Sequence, residues 1–560
     1  MNKEMPIGIS DFKEVKEHYY FVDKSKFIDD IIKTHKKVTL FTRPRRFGKT
    51  LTLSMLDYFF SIDKKNESSH LFTDLWIKNA PSSMAQQGTY PVIFMTFKNF
   101  HNPSWDSMYR SFQLLIQDIY LQFSYLLDSP SLIHYEKDYI NRLLSLQAEP
   151  EEYQISLQRL ITFLYKHYHQ KVILLLDEYD APLQNAYNQH FYDKAILFWK
   201  GLFNAALKDN PRLHFAVLTG VLRVAKESIF SGLNNLDVFS VLEEKFGNVF
   251  GFTTDEIKEM LHVLGCEQKL FELKAWYDGY SFGSTDIFNP WSVIKYINES
   301  CVPKPYWVNT ADNSILHEIL HQANPDRIQS LQQLVSGKTI MATLQEGLIY
   351  NEILRNDAAL YTLLLNTGYL KALSTERLNN GITTYELAIP NKEITQVYTQ
   401  EILGNLAQGI QLSDFLAFQK ALLEGNTEVL TQKLQTILVE LVSCYDVKSP
   451  ESFYHGLLLG LTCLLQHNGY TIDSNRESGY GRFDLAIIPL PGTQRHGVIM
   501  EFKIAADINS LERKATEALQ QIQTKQYITE FKKLHISSAY TYGIAFHGKH
   551  VAIEHTAWTY

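Results

Sequence analysis

"LFTRPRRFGKTLTLSML" occupies residues 40–56, and its reading decides what kind of sheet the chain builds. Upstream, "KKVTLFT" (36–42) is a short β-rich run; downstream, "LTLSMLDYFF" (51–60) reads as a buried helix. Strand, loop and helix in that order are the setting in which Gly-Lys-Thr acquires meaning as a phosphate-binding loop. Gly48 lets the backbone approach an anion, and the amides at the helix start then face it. Lys49 is expected to reach the β- and γ-oxygens of a nucleotide, and the Thr50 hydroxyl to hold Mg²⁺. Where such a loop ordinarily begins with glycine, this one has Arg43.

A second stretch completes the pattern. "QKVILLLDEYDAPL" (170–183) carries an apolar run from Val172 to Leu176, typical of a strand buried on both faces, that ends in Asp177 and Glu178. Acids at the carboxyl end of a central parallel strand face the ligand crevice. Asp177 is expected to order the Mg²⁺ shell and Glu178 to polarise the attacking water. The bland alternative is a strand followed by an acidic helix cap. A third strand, "LHFAVLTG" (213–220), ends near Thr219, placed to sense a γ-phosphate, and "YPVIFMTF" (90–97) supplies a fourth. Beyond Thr219, Arg223 and Lys226 are cationic candidates, although a solvated helix face explains them equally well. Helical segments such as 107–127 fill the space between Lys49 and Asp177.

Near the other end, "PESFYHGLLLGLTCLLQHNGY" (450–470) reads as an apolar helix with Glu451 at its start. "GYGRFDLAIIPL" (479–490) is a strand carrying Asp484, and "HGVIMEFKIA" (496–505) a strand carrying Glu501 and Lys503. A helix over 509–527 with Gln521 and Lys525 follows, then closing strands over 542–555. Side chains alternate along a strand, so Glu501 and Lys503 share a face, which Asp484 on an adjacent antiparallel strand approaches. Two carboxylates of this kind suit a hard divalent cation, Mg²⁺ or Mn²⁺, with Glu451 as a further candidate ligand. Such an ion activates water for phosphodiester hydrolysis, and Lys503 orients the nucleophile or offsets developing charge. Buried unpaired in apolar strands, Asp484 and Glu501 would cost several kcal/mol, about the figure for unsatisfied polar groups. Glu-x-Lys alone carries little information; the ordered helix, strands and helix carry more. His455 is a further candidate that a core histidine explains as well.

The chain resembles the AAA-ATPase-like proteins that carry a C-terminal PD-(D/E)xK-type nuclease domain, a family found widely in bacteria. The resemblance runs over essentially the full length, through "PIGISDFKEV", "YYFVDKSKFI", "FTRPRRFGKTLTLSML", "LLLDEYDAPL", "TGVLRVAKESIFSGLNNL", "WYDGYSFG", "FNPWSVIKYI" and "YWVNT". "ESFYHGLLLGL", "GRFDLAI", "IMEFKIA" and "ALQQI" look like its nuclease blocks. It implies that an arginine-rich loop before Gly-Lys-Thr is a habit of the family. Pro44 then fixes the bend the glycine would have permitted, and Arg45 and Arg46 add charge beside the phosphates. Arg45, Arg46, Phe47, Gly48, Lys49, Thr50, Asp177 and Thr219 are thus the expected nucleotide-binding set. Residues 20–24 are implied to pack near the base.

The expected fold is α/β: a P-loop NTPase parallel sheet, a helical and winged-helix-like middle, and a restriction-endonuclease-like α/β domain. The expected divisions are an ATPase domain over 1–250, a helical lid-like region over 251–345, a winged-helix-like connector over 346–440 and the nuclease over 441–560. In the middle, "WYDGYSFGSTDIFNPWSVIKYI" (276–297) is read as small-domain core in preference to a base-stacking surface. The helix and β-wing over 359–394 fit either a DNA contact or a rigid coupler. Four cysteines without a CxxC pair indicate neither a zinc knuckle nor a disulfide framework. The polar N-terminus and the lack of an apolar run near ~18 residues predict a cytoplasmic protein outside any membrane. A net charge of −8 argues against a generally sticky nucleic-acid binder, but 441–560 holds 11 acidic and 11 basic residues and is balanced. The expected function is an ATP-binding, ATP-hydrolysing protein coupled to a Mg²⁺-dependent nuclease acting on DNA in preference to RNA, with self-association as a candidate. The alternative is a nucleotide-dependent switch whose nuclease fold only binds nucleic acid or a partner protein.

Overall fold

The computed structural model describes residues 4–223, 235–307, 325–335, 337–345, 347, 350, 353, 356–379, 381–398, 412–441, 450–462, 465, 469–478, 481–490, 492–493 and 495–559. Lys226 therefore lies outside the described residues. The chain divides into two compact units, one formed by Met1–Ala311 with Met341–Glu393, the other by Asp312–Ile340 with Ile394–Tyr560.

In the first unit, β1 (Val38–Thr42), β2 (Val92–Thr96), β3 (Val172–Asp177), β4 (Leu213–Gly220) and β5 (Leu236–Phe239) form one sheet. Its order is β2-β3-β4-β1-β5, and every neighbouring pair is parallel. All residues of β1 and β3 are buried, which is why both sequences run apolar without alternation. After β1 the chain crosses to the far edge, so β4 separates β1 from β3. The loop after β1 and the ends of β3 and β4 are thereby gathered at one carboxyl edge. Gly48 at φ 80° turns the chain into the helix Lys49–Phe60, which is buried along most of its length. Helices Trp105–Gln122, His134–Leu144 and Ser156–Tyr168 occupy the segment between β2 and β3.

A smaller sheet of β6 (Phe252–Thr253), β7 (Tyr280–Phe282) and β8 (Thr285–Phe288) follows, in the order β6-β8-β7. Thr253 and Glu256 form a capping box on the helix Thr254–Leu264, which Gly265 ends at φ 67°. Asn289 caps the helix Pro290–Asn298. Tyr277, Tyr280, Phe282, Phe288 and Tyr296 are buried and Trp276 and Trp291 partly so, which makes most of the aromatic run interior. A third sheet joins β9 (Ile340–Thr343), β10 (Lys371–Arg377) and β11 (Thr383–Ala388) in the order β10-β11-β9, and the helix Asp357–Thr367 lies in the chain between β9 and β10.

The second unit is built on β12 (Tyr470–Ser478), β13 (Gly481–Pro489), β14 (Gly497–Ile504), β15 (Ser538–His547) and β16 (His550–Thr559), adjacent in sequence order. Only β14 and β15 run parallel; the other pairs are antiparallel. Period-2 alternation separates the two faces. Leu485, Ile487, Val498, Met500, Tyr542 and Ile544 pack against helices Leu412–Glu424, Thr427–Leu441 and Pro450–Thr462. Ala486, Ile488 and Ile499 face the other way, toward Ile522, Tyr527 and Phe531 of the segment containing helices Leu511–Thr524 and Thr529–Lys533. On that second face Gly543 pairs with Glu501. A Cβ at Gly543 would fall 2.2 Å from the Ala515 carbonyl oxygen, so the missing side chain is what lets the helix Leu511–Thr524 lie close. Among the described residues, no helix is long and apolar enough to cross a membrane.

Candidate nucleotide and metal sites

The loop after β1 answers the question its first residue raised. Arg43 is 0% exposed, and its guanidinium is spent on backbone carbonyls and aromatic rings. Its Nη1 donates to the carbonyls of Thr42 (2.9 Å) and Phe239 (2.8 Å), and Nη2 to Phe246 (3.4 Å). The guanidinium lies 4.8 Å from the Phe282 ring centroid and 5.5 Å from that of Phe250. Burial brings its pKa down to about 9, opposed by Glu243. Arg43 thus ties the loop to β5 and to the 246–250 segment. The charge of the neighbouring arginines is also engaged: Arg45 donates to Gln184 (2.9 Å), and Arg46, at φ 70°, stacks 3.8 Å from the Trp291 ring centroid. The Phe47 side chain is buried against Tyr280 and Phe282, and its backbone carbonyl accepts from the Gly251 amide (3.1 Å).

Lys49 is buried, and its ammonium donates to the carbonyls of Arg43 (3.2 Å) and Pro44 (3.1 Å). It also pairs with Glu178 at 3.3 Å. Asp177 is the centre of the constellation. Its Oδ2 accepts from Thr50 (2.8 Å) and Thr96 (3.1 Å), and its Oδ1 from Thr219 (2.7 Å). Burial, then the neighbouring Glu178, holds its carboxyl above the usual range, against the hydroxyls and Lys49. Glu178 follows at φ 53°, a left-handed conformation uncommon for a residue with a side chain. Thr50, Asp177, Thr219, Lys49 and Glu178 are therefore brought together from a loop, two strand ends and a helix start. Thr96, at the end of β2, and Asp180, at the N-cap of the helix Ala181–Asn188, belong to the same cluster and had no distinguishing sequence signal beyond those places. In residues 20–24, Lys24 is committed to Glu256 (2.6 Å) and the Asn248 carbonyl (2.8 Å), and Asp23 accepts from the Ser25 and Trp76 amides.

In the second unit, the register of β13 and β14 pairs Leu485 with Met500, and one further step sets Asp484 across from Glu501. Asp484 Oδ2 accepts from the Phe502 amide at 2.7 Å. Glu501 is 4% exposed; its Oε1 accepts from Gln521, while its Oε2 is buried with no hydrogen-bond partner among the described residues. Burial, then the Asp484 charge, pushes Glu501 up to about 8, with Lys503 and hydrogen bonds opposing. Lys503 donates to Gln521 Oε1 (2.8 Å), and Gln521 also reaches Tyr527 OH (3.3 Å). Gln521 therefore spans the acid and the ammonium of the Glu-x-Lys pair. The orphaned Glu501 oxygen beside a second carboxylate fits a divalent cation, because both acids are hard oxygen donors. No group of three or more His, Cys, Asp or Glu side chains suited to a metal occurs among the described residues. Glu451 is in the first turn of Pro450–Thr462, and its side chain lies outside the described residues. His455 packs edge-on to Phe502, with 5.7 Å between ring centroids.

A parallel sheet with a phosphate-loop helix, joined in one chain to a mixed sheet bearing Asp…Glu-x-Lys, defines a P-loop NTPase fold followed by a restriction-endonuclease-like domain. Comparison with known proteins agrees. Residues 6–230 match the AAA-ATPase-like family, described as predicted AAA-ATPase, and residues 449–556 match the PD-(D/E)XK nuclease superfamily. The chain thus carries a region like the predicted AAA-ATPases and, toward its C-terminus, a region of the PD-(D/E)XK nuclease superfamily. It is 24% identical over 544 residues, 95% of this chain and 94% of the relative, to a protein of Azotobacter chroococcum mcd 1 named "Uncharacterized protein in vnfD 5'region".

Proposed function

We propose that this protein binds and hydrolyses ATP with Mg²⁺ in its first unit and cleaves phosphodiester bonds, in DNA, with a divalent cation in its second. The observation that carries the reading is the convergence of Thr50, Thr219 and Lys49 on Asp177 and Glu178. The amides of Arg45 to Thr50 cradle the phosphates, whose oxygens replace the loop carbonyls and Glu178 as partners of Lys49. Thr50 and Asp177 hold Mg²⁺, which neutralises charge on the phosphates. Glu178, freed of Lys49, orients water toward the γ-phosphorus, and Thr219 turns its hydroxyl from Asp177 to donate to a γ-oxygen.

At the second site Asp484 and Glu501 hold Mg²⁺ or Mn²⁺, which supplies an activated water and offsets charge on the phosphate oxygens. Lys503 orients the incoming nucleophile or neutralises the phosphate, and Gln521 keeps Lys503 and Glu501 at fixed separation. The nucleotide state of the first unit governs cleavage by the second.

The test is a divalent-dependent cleavage assay on single- and double-stranded DNA and RNA, run alongside phosphate release. Glu501→Ala is expected to abolish cleavage and leave ATP turnover intact, and Lys49→Ala to abolish ATP turnover. Cleavage that survives Glu501→Ala overturns the metal site. Nucleic-acid binding without products in the unaltered protein would establish instead a nucleotide-dependent switch with a binding-only nuclease fold.

A further inference from the structure

We infer that Asp180, together with Tyr179, is a positioning residue of the ATP site: the pair fixes the backbone that leaves β4 and, through it, sets Thr219 against the γ-phosphate. The inference rests on the ATPase reading above and goes beyond the residues that touch nucleotide or metal in it.

Asp180 stands at the N-cap of the helix Ala181–Asn188, where an aspartate ordinarily accepts from its own helix's amides. It makes no such bond. Its Oδ2 instead accepts from the Val221 amide (2.9 Å) and the Leu222 amide (2.8 Å), across from β3 to the exit of β4. Tyr179 completes the clamp: its amide donates to the Thr219 carbonyl (3.0 Å) and its hydroxyl to the Leu222 carbonyl (2.6 Å). The Gly220 carbonyl accepts from the Arg43 amide (3.0 Å), at the root of the phosphate loop. Each of residues 219 to 222 is thus fastened to one of the two segments that carry the nucleotide chemistry.

The fit leaves no slack. A Cβ on Gly220 would stand 2.5 Å from Asp180 Oδ1 and 2.7 Å from the Tyr179 ring. Asp180 is 2% exposed, and its Oδ1 has no hydrogen-bond partner among the described residues. A carboxylate kept this deep without serving its own helix is costly. Two backbone amides held at a fixed point are what the cost accompanies. Thr219 precedes the clamped amides by two residues, and Arg223 follows them by one, so a displacement of this turn moves the γ-phosphate contact directly.

The experiment compares the full-length protein with Asp180→Ala, Asp180→Asn and Tyr179→Phe. Fluorescent ATP analogue binding gives Kd, and phosphate release gives kcat. Asp180→Ala is expected to leave Kd unchanged and lower kcat by ~10–100-fold, the size of effect that a small misplacement of reacting groups produces. Asp180→Asn retains an oxygen able to accept from both amides and is expected to restore most of the turnover. Tyr179→Phe removes one hydroxyl without opening the packing, and is expected to lower kcat at constant Kd. It decides the matter should Asp180→Ala fail to fold. Wild-type kcat in both Asp180→Ala and Tyr179→Phe, or a loss of binding in step with kcat, overturns the positioning role while leaving the ATPase reading standing. Absence of ATP binding and turnover in the unaltered protein takes down the ATPase reading, and this one with it.

Discussion

At the scale of single residues, burial changes what a charge is for. Arg43 occupies the place of a phosphate-loop glycine, and the letters around it suggest positive charge offered to an anion. Its partners are three carbonyls and two aromatic rings, all contributed by its own strand end or by residues from 239 to 282. No local window of sequence contains both halves of that arrangement, which is why the residue was legible as unusual but not as structural. Arg43→Ala is expected to cost about 3 kcal/mol or more, from the cavity and the carbonyls left without donors. Arg43→Lys should recover only part of it, since an ammonium lacks the planar fork. Chemical denaturation monitored in the first unit checks both; a cost near zero for Arg43→Ala would show that the guanidinium holds nothing. Glu393 makes the same point for an acid. It is fully buried, accepts from the Trp307 amide and the Ser292 hydroxyl, and burial drives it up to about 7 despite them. Between about 4.5, the ordinary glutamate value, and about 7, the folded protein keeps a proton that the unfolded chain releases. Raising pH across that window therefore weakens the fold, by on the order of 3 kcal/mol in total, and above it has no further effect. His214, brought down to about 4 by burial and then by Lys37 and Lys171, acts in the opposite sense. The measurement is accordingly the difference in unfolding free energy between Glu393→Gln and the unaltered protein, followed against pH. It should change between pH 4.5 and 7, and a flat difference would contradict the assignment.

At the scale of elements, the sequence was legible wherever apolar pattern and terminus chemistry coincided. The four strands that build most of the first sheet announced themselves as short apolar runs because both of their faces are covered. The helix Thr254–Leu264 was marked at both ends, by Thr253 with Glu256 and by Gly265. Other strands gave no such signal, β5 and β12 among them. β5 is four residues long and half-buried, and β12 reads "YTIDSNRES", apolar at Tyr470 and Ile472 only. Both take their place from the neighbour they pair with. The pair Glu501 and Lys503 was legible from alternation alone, but the helix that closes over them depends on Gly543, whose importance appears only once the helix Leu511–Thr524 is seen against it. Gly543→Ala sets a methyl within 2.2–2.4 Å of helix backbone at Ala515 and Leu519, which cannot rotate aside. Overpacking of this kind typically costs about 1–3 kcal/mol, and backbone contact places this case at the upper end. The helix carries Gln521, so its displacement should also separate Gln521 from Lys503 and Glu501. The expected result is a lower melting transition for the second unit together with weaker Mn²⁺ binding, read by calorimetry; unchanged melting would mean that the helix has room to retreat.

At the scale of the whole molecule, two sites of different chemistry belong to separate compact units of a single chain. Coupling between them is a statement about free energy, and it carries an obligation in both directions. If ATP changes the affinity of the second unit for DNA by some factor, DNA must change the affinity of the first unit for ATP by that same factor. The obligation can be examined without knowing how the signal travels. Glu501→Ala removes the proposed cleavage chemistry and leaves Asp484, Lys503 and the basic residues of the second unit in place, so binding can be measured at equilibrium. A non-hydrolysable ATP analogue titrated with and without a DNA duplex gives one factor. DNA titrated with and without the analogue, at the same salt concentration because phosphate contacts are salt-dependent, gives the other. The two factors should agree and differ from one. Lys49→Ala should abolish both, because it removes the cation proposed to meet the phosphates while leaving the proposed nuclease site untouched. Equal affinities with and without the second ligand would instead describe an ATPase and a nuclease that share a chain and nothing else, and the proposed governance of cleavage by nucleotide would fall even if each activity were present.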